Sequence, residues 1–486
     1  MPRRILVHAG WAGTWLSGTV LWPRSEWRAA FNVLPSLITP SEAAAMKQLL
    51  VDAPDEFDED VDGVDKMVTY EFIISSIGAA KSKDPPREKL RQKLLDITLP
   101  IIRSRIEPFV RMRYPRARSV CHSMIRRYLH NERRTHNTHW DIPSYVSVVV
   151  SLDSAGQDFD GGFFVTTGTG LNSFIPLQQG DTVVHRSDLL HGVHVRSGER
   201  WSWAMWFQDS ADCSSEPADW WREEAEQGDA VAQTLRGMRA RTSDESWQWL
   251  GRAASSGFPR AQLYFAKALE DGLGGRKPNL QEAAQWYERA RVSGELDASY
   301  YLGLLERSRD NASGAAQLFR EGAQWGDPNA MSELAALYQR GSELTPRNLD
   351  LATQWFSLAA DFTVEAMYQC HVLYSQATDS RQADESLAKL YLERAARMGH
   401  EKARLEFLRP LARAGHWEQA VPWLLRIESK ASMEKFVELY RSGVKMKPFT
   451  VFRGEQALRE LAANGYGDAR QLLLALGDAS RKRAEF

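Results

Sequence analysis

The sequence has little cysteine, no excess of charge of either sign and no long apolar run. Its three cysteines, Cys121, Cys213 and Cys370, are far apart and odd in number, a pattern that cannot form a disulfide framework. No CxxC pair suggests structural zinc. The 61 Lys and Arg nearly cancel the 63 Asp and Glu, so there is no global basic field and nucleic acid is not expected as a partner. The uncharged stretch from Ile5 to Trp22 is diluted by His8, Gly10, Gly13, Thr14, Ser17, Gly18 and Thr19, whereas a spanning helix wants about 20 predominantly apolar residues. Residues 1–30 therefore stand apart as a segment that could target or anchor the chain. A membrane enters only if that segment is an anchor, and a cytoplasmic location is slightly favoured over the endoplasmic reticulum.

What is present is enough apolar material, 43% of 486 residues, to build cores and exclude a disordered chain. The length suits two to four domains, and the patterning changes near residue 212. Before it, Tyr145–Leu152, Thr182–His185, His191–Val195 and Trp201–Phe207 read as strands of an antiparallel sheet. Residues 40–50 and 86–113 read as helices, the first started by Thr39-Pro40-Ser41-Glu42. The expected class is multidomain α+β.

After residue 212 the chain repeats. Large residues at Trp220, Trp249, Trp286, Leu318, Trp355, Tyr391 and Trp423, then Ala457, recur at intervals of 29 to 37. A small residue usually follows four positions on, such as Ala253, Ala290 and Ala359. Glycine follows at eight (Gly257, Gly294, Gly326) and alanine at twelve (Ala261, Ala298, Ala330). The anchor and the small residue share a helix face, glycine ends the helix in a left-handed conformation, and alanine lets the next helix pack closely. Asp271-Gly272-Leu273-Gly274-Gly275 with Ala283-Ala284-Gln285-Trp286-Tyr287 resembles the Sel-one-like repeat, a tetratricopeptide relative. That resemblance covers about residues 215–480, strongest at 257–298 and degenerate near 299–318 and 424–456. It implies, for 213–486, an α-solenoid whose curved face binds a protein partner.

Chemistry is concentrated before the repeats. His139-Trp140-Asp141 puts two ligand types on one face of a strand edge, and His191 follows fifty residues after Asp141. Two histidines and a carboxylate make the facial triad of non-haem Fe(II) oxygenases. In the last strand, Arg200 and Ser202 share a face, and an arginine fork suits a carboxylate. Gly198 permits the turn between the His191 and Arg200 strands.

The order Tyr128, His139-Trp140-Asp141, Gly161-Gly162, Gly180-Asp181, His191-Gly192-Val193, Arg200-Trp201-Ser202 resembles iron- and 2-oxoglutarate-dependent oxygenases of the prolyl 4-hydroxylase type. With the entry segment from Val33 to Glu42 the resemblance spans about 31–210, and the domain is set at 31–212. It implies a double-stranded β-helix, a jelly-roll relative, with Fe(II) on His139, Asp141 and His191. It also implies 2-oxoglutarate on Arg200, Ser202 and Tyr128, O2 as oxidant, ascorbate as reductant and a protein or peptide substrate. Two departures leave proline open as the target: arginine rather than lysine at Arg200, and Phe163-Phe164-Val165 after the glycine step. The alternative is an interaction scaffold with an inactive oxygenase domain.

Other residues compete. His185 rivals His191 as the third ligand, but His191 opens the strand that turns into Arg200. His136 reads as a solvated loop histidine, and His194 as structural or exposed. Asp58-x-Asp60-x-Asp62-Gly63 copies half a calcium loop but has Thr69 where a bidentate glutamate is required; it reads as an acidic, mobile loop. Gly168-Thr169-Gly170 reads as a loop rather than a phosphate cradle. Arg126-Arg127 and Arg133-Arg134 read as a solvated basic patch.

Overall fold

A computed structural model describes residues 31–62, 67–76, 85–142, 144–166, 172–210, 213, 220–341, 345–378, 380–425, 430–442, 448–463 and 467–484. The 1–30 segment, Gly63 and Gly168-Thr169-Gly170 lie outside these. Among the described residues, no helix is long and apolar enough to cross a membrane.

Eleven described strands form two sheets. They are β1 (Phe31–Leu34), β2 (Asp58–Val61), β3 (Val68–Ser76), β4 (Ser119–Tyr128), β5 (Thr135–His139), β6 (Val146–Ser151), β7 (Phe159–Thr166), β8 (Asn172–Phe174), β9 (Thr182–Arg186), β10 (His191–Gly198) and β11 (Arg200–Gln208). The larger sheet runs β1-β9-β6-β11-β4-β3-β2 and the smaller β5-β10-β7-β8; every pairing between these strands is antiparallel. The chain steps from the smaller sheet to the larger at Gly198, whose φ is +75°. A Cβ there would meet the Asp158 carbonyl at 2.1 Å, so only glycine fits the corner. Helices Pro40–Val51, Pro85–Ile101 and Glu107–Arg113 accompany the sheets, the last two joined by a π-helical turn. Thr39 and Glu42 close a reciprocal capping box at the first.

From Trp220 the described chain is helical. Gly257, Gly294, Gly326 and Gly399 have φ between +89° and +102°, the left-handed stop that the repeat implies. Ala253, Ala261, Ala290, Ala298, Ala330, Ala359, Ala395 and Ala403 are all fully buried. The anchors behave differently. Trp286 and Leu318 lie at the edge of the core, while the next residues, Tyr287 and Phe319, are inside it. At about 100° per residue, the anchor and the residue after it flank the axis of Ala283 and Ala290 on opposite sides and by equal angles, so packing decides which of the two is inside.

The molecule divides into two compact units: one reaches Ala366 and includes Thr378–Arg381, and the other holds Met367–Ala377 and Gln382–Phe486. Within the first, Arg116 pairs with Glu223 and Arg186 with Glu224. His194 lies edge-on to Phe362 at 4.7 Å, with Nε2 3.5 Å from Asp361.

Two expectations are corrected here. Cys121 of β4 is bonded to Cys213, and Cys370 is buried outside that bond. Three cysteines cannot build a framework of several bridges but allow one long-range pair. The acidic run is no mobile loop: Asp58–Val61 is an edge strand paired with β3, and Asp62 is buried against Arg133 at 3.0 Å.

Candidate metal centre

His139 ends β5 and His191 opens β10, and antiparallel pairing sets the two residues opposite each other with ring centroids 4.5 Å apart. After β5 the chain turns at Asp141, where the Ser144 amide donates to the Asp141 carbonyl at 2.9 Å. This turn brings the Asp141 carboxylate to the histidines. One ligand atom from each of His139, Asp141 and His191 lies within 4.8 Å of the other two. His139 Nε2 is 3.4 Å from Asp141 Oδ1, and His191 Nε2 is 3.6 Å from Oδ2.

The second ring atoms explain the orientation. A carbonyl oxygen can only accept, so His139 Nδ1 donates to Asn137 at 2.7 Å and His191 Nδ1 donates to Leu189 at 3.0 Å. Each Nε2 is left to face the carboxylate, the arrangement that metal-binding histidines use. Ser147 Oγ donates to Asp141 Oδ2 at 2.5 Å. Burial pushes the His191 and His185 imidazoles below the usual histidine range, with Asp141 opposing. Burial would raise the Asp141 carboxyl, but the surrounding imidazoles outweigh it and hold it down. Two imidazole nitrogens and a carboxylate that converge in this way form a donor set that fits a divalent first-row metal.

The residues assigned to a co-substrate come from the opposing sheet. Arg200 pairs across strands with Tyr128 and is 1% exposed. Its Nη1 donates to Ser202 Oγ at 3.3 Å, while Nε and Nη2 have no hydrogen-bond partner. The Tyr128 and Phe159 rings stand 5.7 and 5.9 Å from the guanidinium. Those two rings pack with Val193 and Val195, two and four residues beyond His191 on β10. Arg200 and the triad therefore face the same interior between the sheets. A buried guanidinium with two free donors is costly unless an anion joins it.

The rival residues are placed otherwise than their sequence suggests. His136 is 3% exposed, stacks on His139 at 4.1 Å, and its Nδ1 accepts from Arg126 at 3.0 Å. It is held in β5 and is not a solvated loop histidine. Nor are the arginines a solvated patch: Arg126 pairs with Glu71 at 2.6 Å, Arg127 with Glu132 at 2.7 Å and Arg133 with Asp62. His194 is buried. His185 is fully buried and reaches the same carboxylate as the triad. Sequence reasoning missed two supports, the His136–Asp62–Arg126 cluster and Asp153. The latter joins Lys47 and accepts from the Trp201 amide at 2.7 Å, beside Arg200. Long-range pairs of this kind leave no local signal.

The family model of the Sel1 repeat matches residues 259–291, 328–361 and 364–400. No curated protein matches the chain. A Sel1 repeat protein from Oxalobacter formigenes is 27% identical, over 36% of this chain and 74% of its own, with a TM-score of 0.34. A 2OG-Fe(II) oxygenase-family oxidoreductase from Burkholderia pseudomallei is 23% identical, over 38% of this chain and 88% of its own, at 0.29. A Pseudomonas putida prolyl-4-hydroxylase is 15% identical, over 37% and 91%, at 0.26. At these TM-scores none of the three weighs on the fold, which stands on the sheet topology and the repeat register. The helical array thus carries Sel1 repeats in three stretches, and the sheeted part has 2OG-Fe(II) oxygenases among its structural neighbours.

Proposed function

We propose that the chain is an Fe(II)- and 2-oxoglutarate-dependent dioxygenase that hydroxylates a protein or peptide side chain, with the helical repeats recruiting substrate or partner. The observation that carries this reading is the pairing of two features across one interior. One is a His-Asp-His set with converging donor atoms; the other is a buried arginine with Nε and Nη2 unpartnered. Fe(II) and 2-oxoglutarate, when bound, would let O2 act as the oxidant, one oxygen atom going to succinate as the keto acid loses CO2 and the other to the hydroxyl formed on a substrate C–H bond.

In this reading His139, Asp141 and His191 hold the metal, the first two spaced by one residue and the third brought in by strand pairing. Arg200 holds the distal carboxylate through its free donors, with Ser202 steadying the guanidinium and the Tyr128 ring walling it. Phe163, 5.3 Å from the His191 ring, and Phe159 keep water from the same space. Ascorbate belongs to the reading as the reductant, and a proline side chain is one candidate target. Tethering by the repeats would raise the local concentration of substrate.

The test is succinate formation from 2-oxoglutarate by the purified protein with Fe(II) and ascorbate, with and without a proline-containing peptide library. Turnover abolished in His191→Ala is the expected result. Absence of turnover, together with no iron retained in anaerobic reconstitution, would instead leave a scaffold with an inactive oxygenase domain.

A further inference from the structure

His185 is not used by the proposed function, yet it faces its centre. It sits on β9 opposite Ser147 of β6, the serine whose hydroxyl donates to Asp141 Oδ2. The ring is completely buried. Its Nδ1 donates to the Arg186 carbonyl at 2.8 Å, just as the triad histidines spend their Nδ1 atoms on backbone carbonyls. Its Nε2 has no hydrogen-bond partner and lies 3.9 Å from Asp141 Oδ2. The His191 ring is 4.5 Å away and Phe163 6.0 Å. Three imidazoles thus turn their Nε2 atoms to one carboxylate. Two belong to the group of ligand atoms within 4.8 Å of one another, and His185 stands one step outside it.

We propose that His185 is a further binding residue of this centre, its Nε2 accepting a hydrogen bond from a protic ligand, such as water, held on the cation. The inference rests on the reading of His139, Asp141 and His191 as a metal site. A fully buried ring nitrogen gains nothing by facing a carboxylate across 3.9 Å unless a donor comes between them. The histidine comes from the larger sheet and two triad residues from the smaller, so His185 reaches across the interior to a ligand the triad carries. The site would then favour water, hydroxyl or amine groups at that coordination position over groups without a proton to donate.

The test uses the full chain, stripped of metal and titrated anaerobically with Co(II), read by visible absorption. His185→Phe keeps a ring and removes both nitrogens; His185→Gln keeps an acceptor. Loss of an outer-shell partner typically weakens metal binding about 10- to 100-fold. We expect a loss of that order in His185→Phe with an altered Co(II) spectrum, and partial recovery in His185→Gln. Equal affinity and an identical spectrum in His185→Phe would overturn the proposal. Should both variants fail to fold, 15N-histidine spectra of the wild-type protein during Zn(II) loading decide. The His185 Nε2 resonance must move along with those of His139 and His191, and an unmoved resonance refutes the role. A wild-type protein that binds neither cation would sink the triad reading instead, a result distinct from either.

Discussion

At the scale of single residues, the site depends on charges withdrawn from water. Arg200 is the sharpest case, since two of its donors are unpartnered and in the proposed reading they take the distal carboxylate of 2-oxoglutarate. Truncating one member of a buried, hydrogen-bonded charge pair costs about 2–5 kcal/mol. Arg200→Gln should therefore weaken 2-oxoglutarate binding by roughly 30-fold or more, measured by calorimetry on the Co(II)-loaded protein, with Co(II) affinity unchanged. Asp62 makes a similar case for stability. Its carboxylate lies 3.0 Å from Arg133 and 3.1 Å from His136 Nε2, so Asp62→Asn takes a countercharge from a guanidinium that is 1% exposed, whose Nε still donates to the Thr135 carbonyl. Breaking a buried pair costs about 3–5 kcal/mol, and urea unfolding of the variant should show a loss of that order. His139 and Asp141 stand out in the sequence because they are two residues apart, and Arg200 and Ser202 because they share a strand; His191 stands out only through its place in the order of motifs, and strand pairing is what brings it to His139. Asp62 and His136 were misread because their partners lie far along the chain.

Among the elements, the capping box at Thr39 reaches beyond its own helix. Glu42 accepts from the Thr39 amide at 2.8 Å and also pairs with Arg105. The Arg105 guanidinium and the Thr39 hydrogen bonds, against burial, lower the Glu42 carboxyl to about 2. A depressed carboxylate stabilises fully above its unfolded pKa of 4.5 and loses that contribution as pH falls toward 2. The urea midpoint of wild type should therefore exceed that of Glu42→Gln at neutral pH, and the gap should close between pH 4.5 and 2. In the repeats, helices approach where glycine leaves room. A Cβ on Gly322 would lie 2.8 Å from the Ala330 Cβ and 3.2 Å from that of Ser299. Gly322→Ala should lower stability by about 1–3 kcal/mol, although alanine favours a helix interior; thermal melts decide the sign. The repeat period was legible because it is local. The inward shift from Leu318 to Phe319 was not, because which flank of a helix faces its neighbour is decided by packing.

For the molecule as a whole, the Cys121–Cys213 bond ties β4 to the chain beyond β11, across 92 residues. In the chain-entropy account, closing a loop of that length stabilises by about 4–5 kcal/mol. Thiol titration under denaturing conditions should find one reactive cysteine, Cys370, before reduction and three after. Two or three before reduction would dismiss the bond. The same unit joins sheet to helix through Arg116–Glu223, Arg186–Glu224 and His194–Asp361, so the first repeats are packed on the sheeted part rather than hung from it.

The amino-acid order by itself determined the antiparallel strands, the helical repeats and the spacing of the candidate ligands. A period of two or of about 3.6, a capping box and a glycine stop are all written in neighbouring residues. Only the tertiary structure decided which histidine besides His139 and His191 faces Asp141, which acids hold Arg126, Arg127 and Arg133, and which cysteines join. Those outcomes come from burial: a charge or ring nitrogen removed from water must be met by whatever the fold brings close, and residues such as Ser147 and His185 meet through a sheet register that no local pattern specifies.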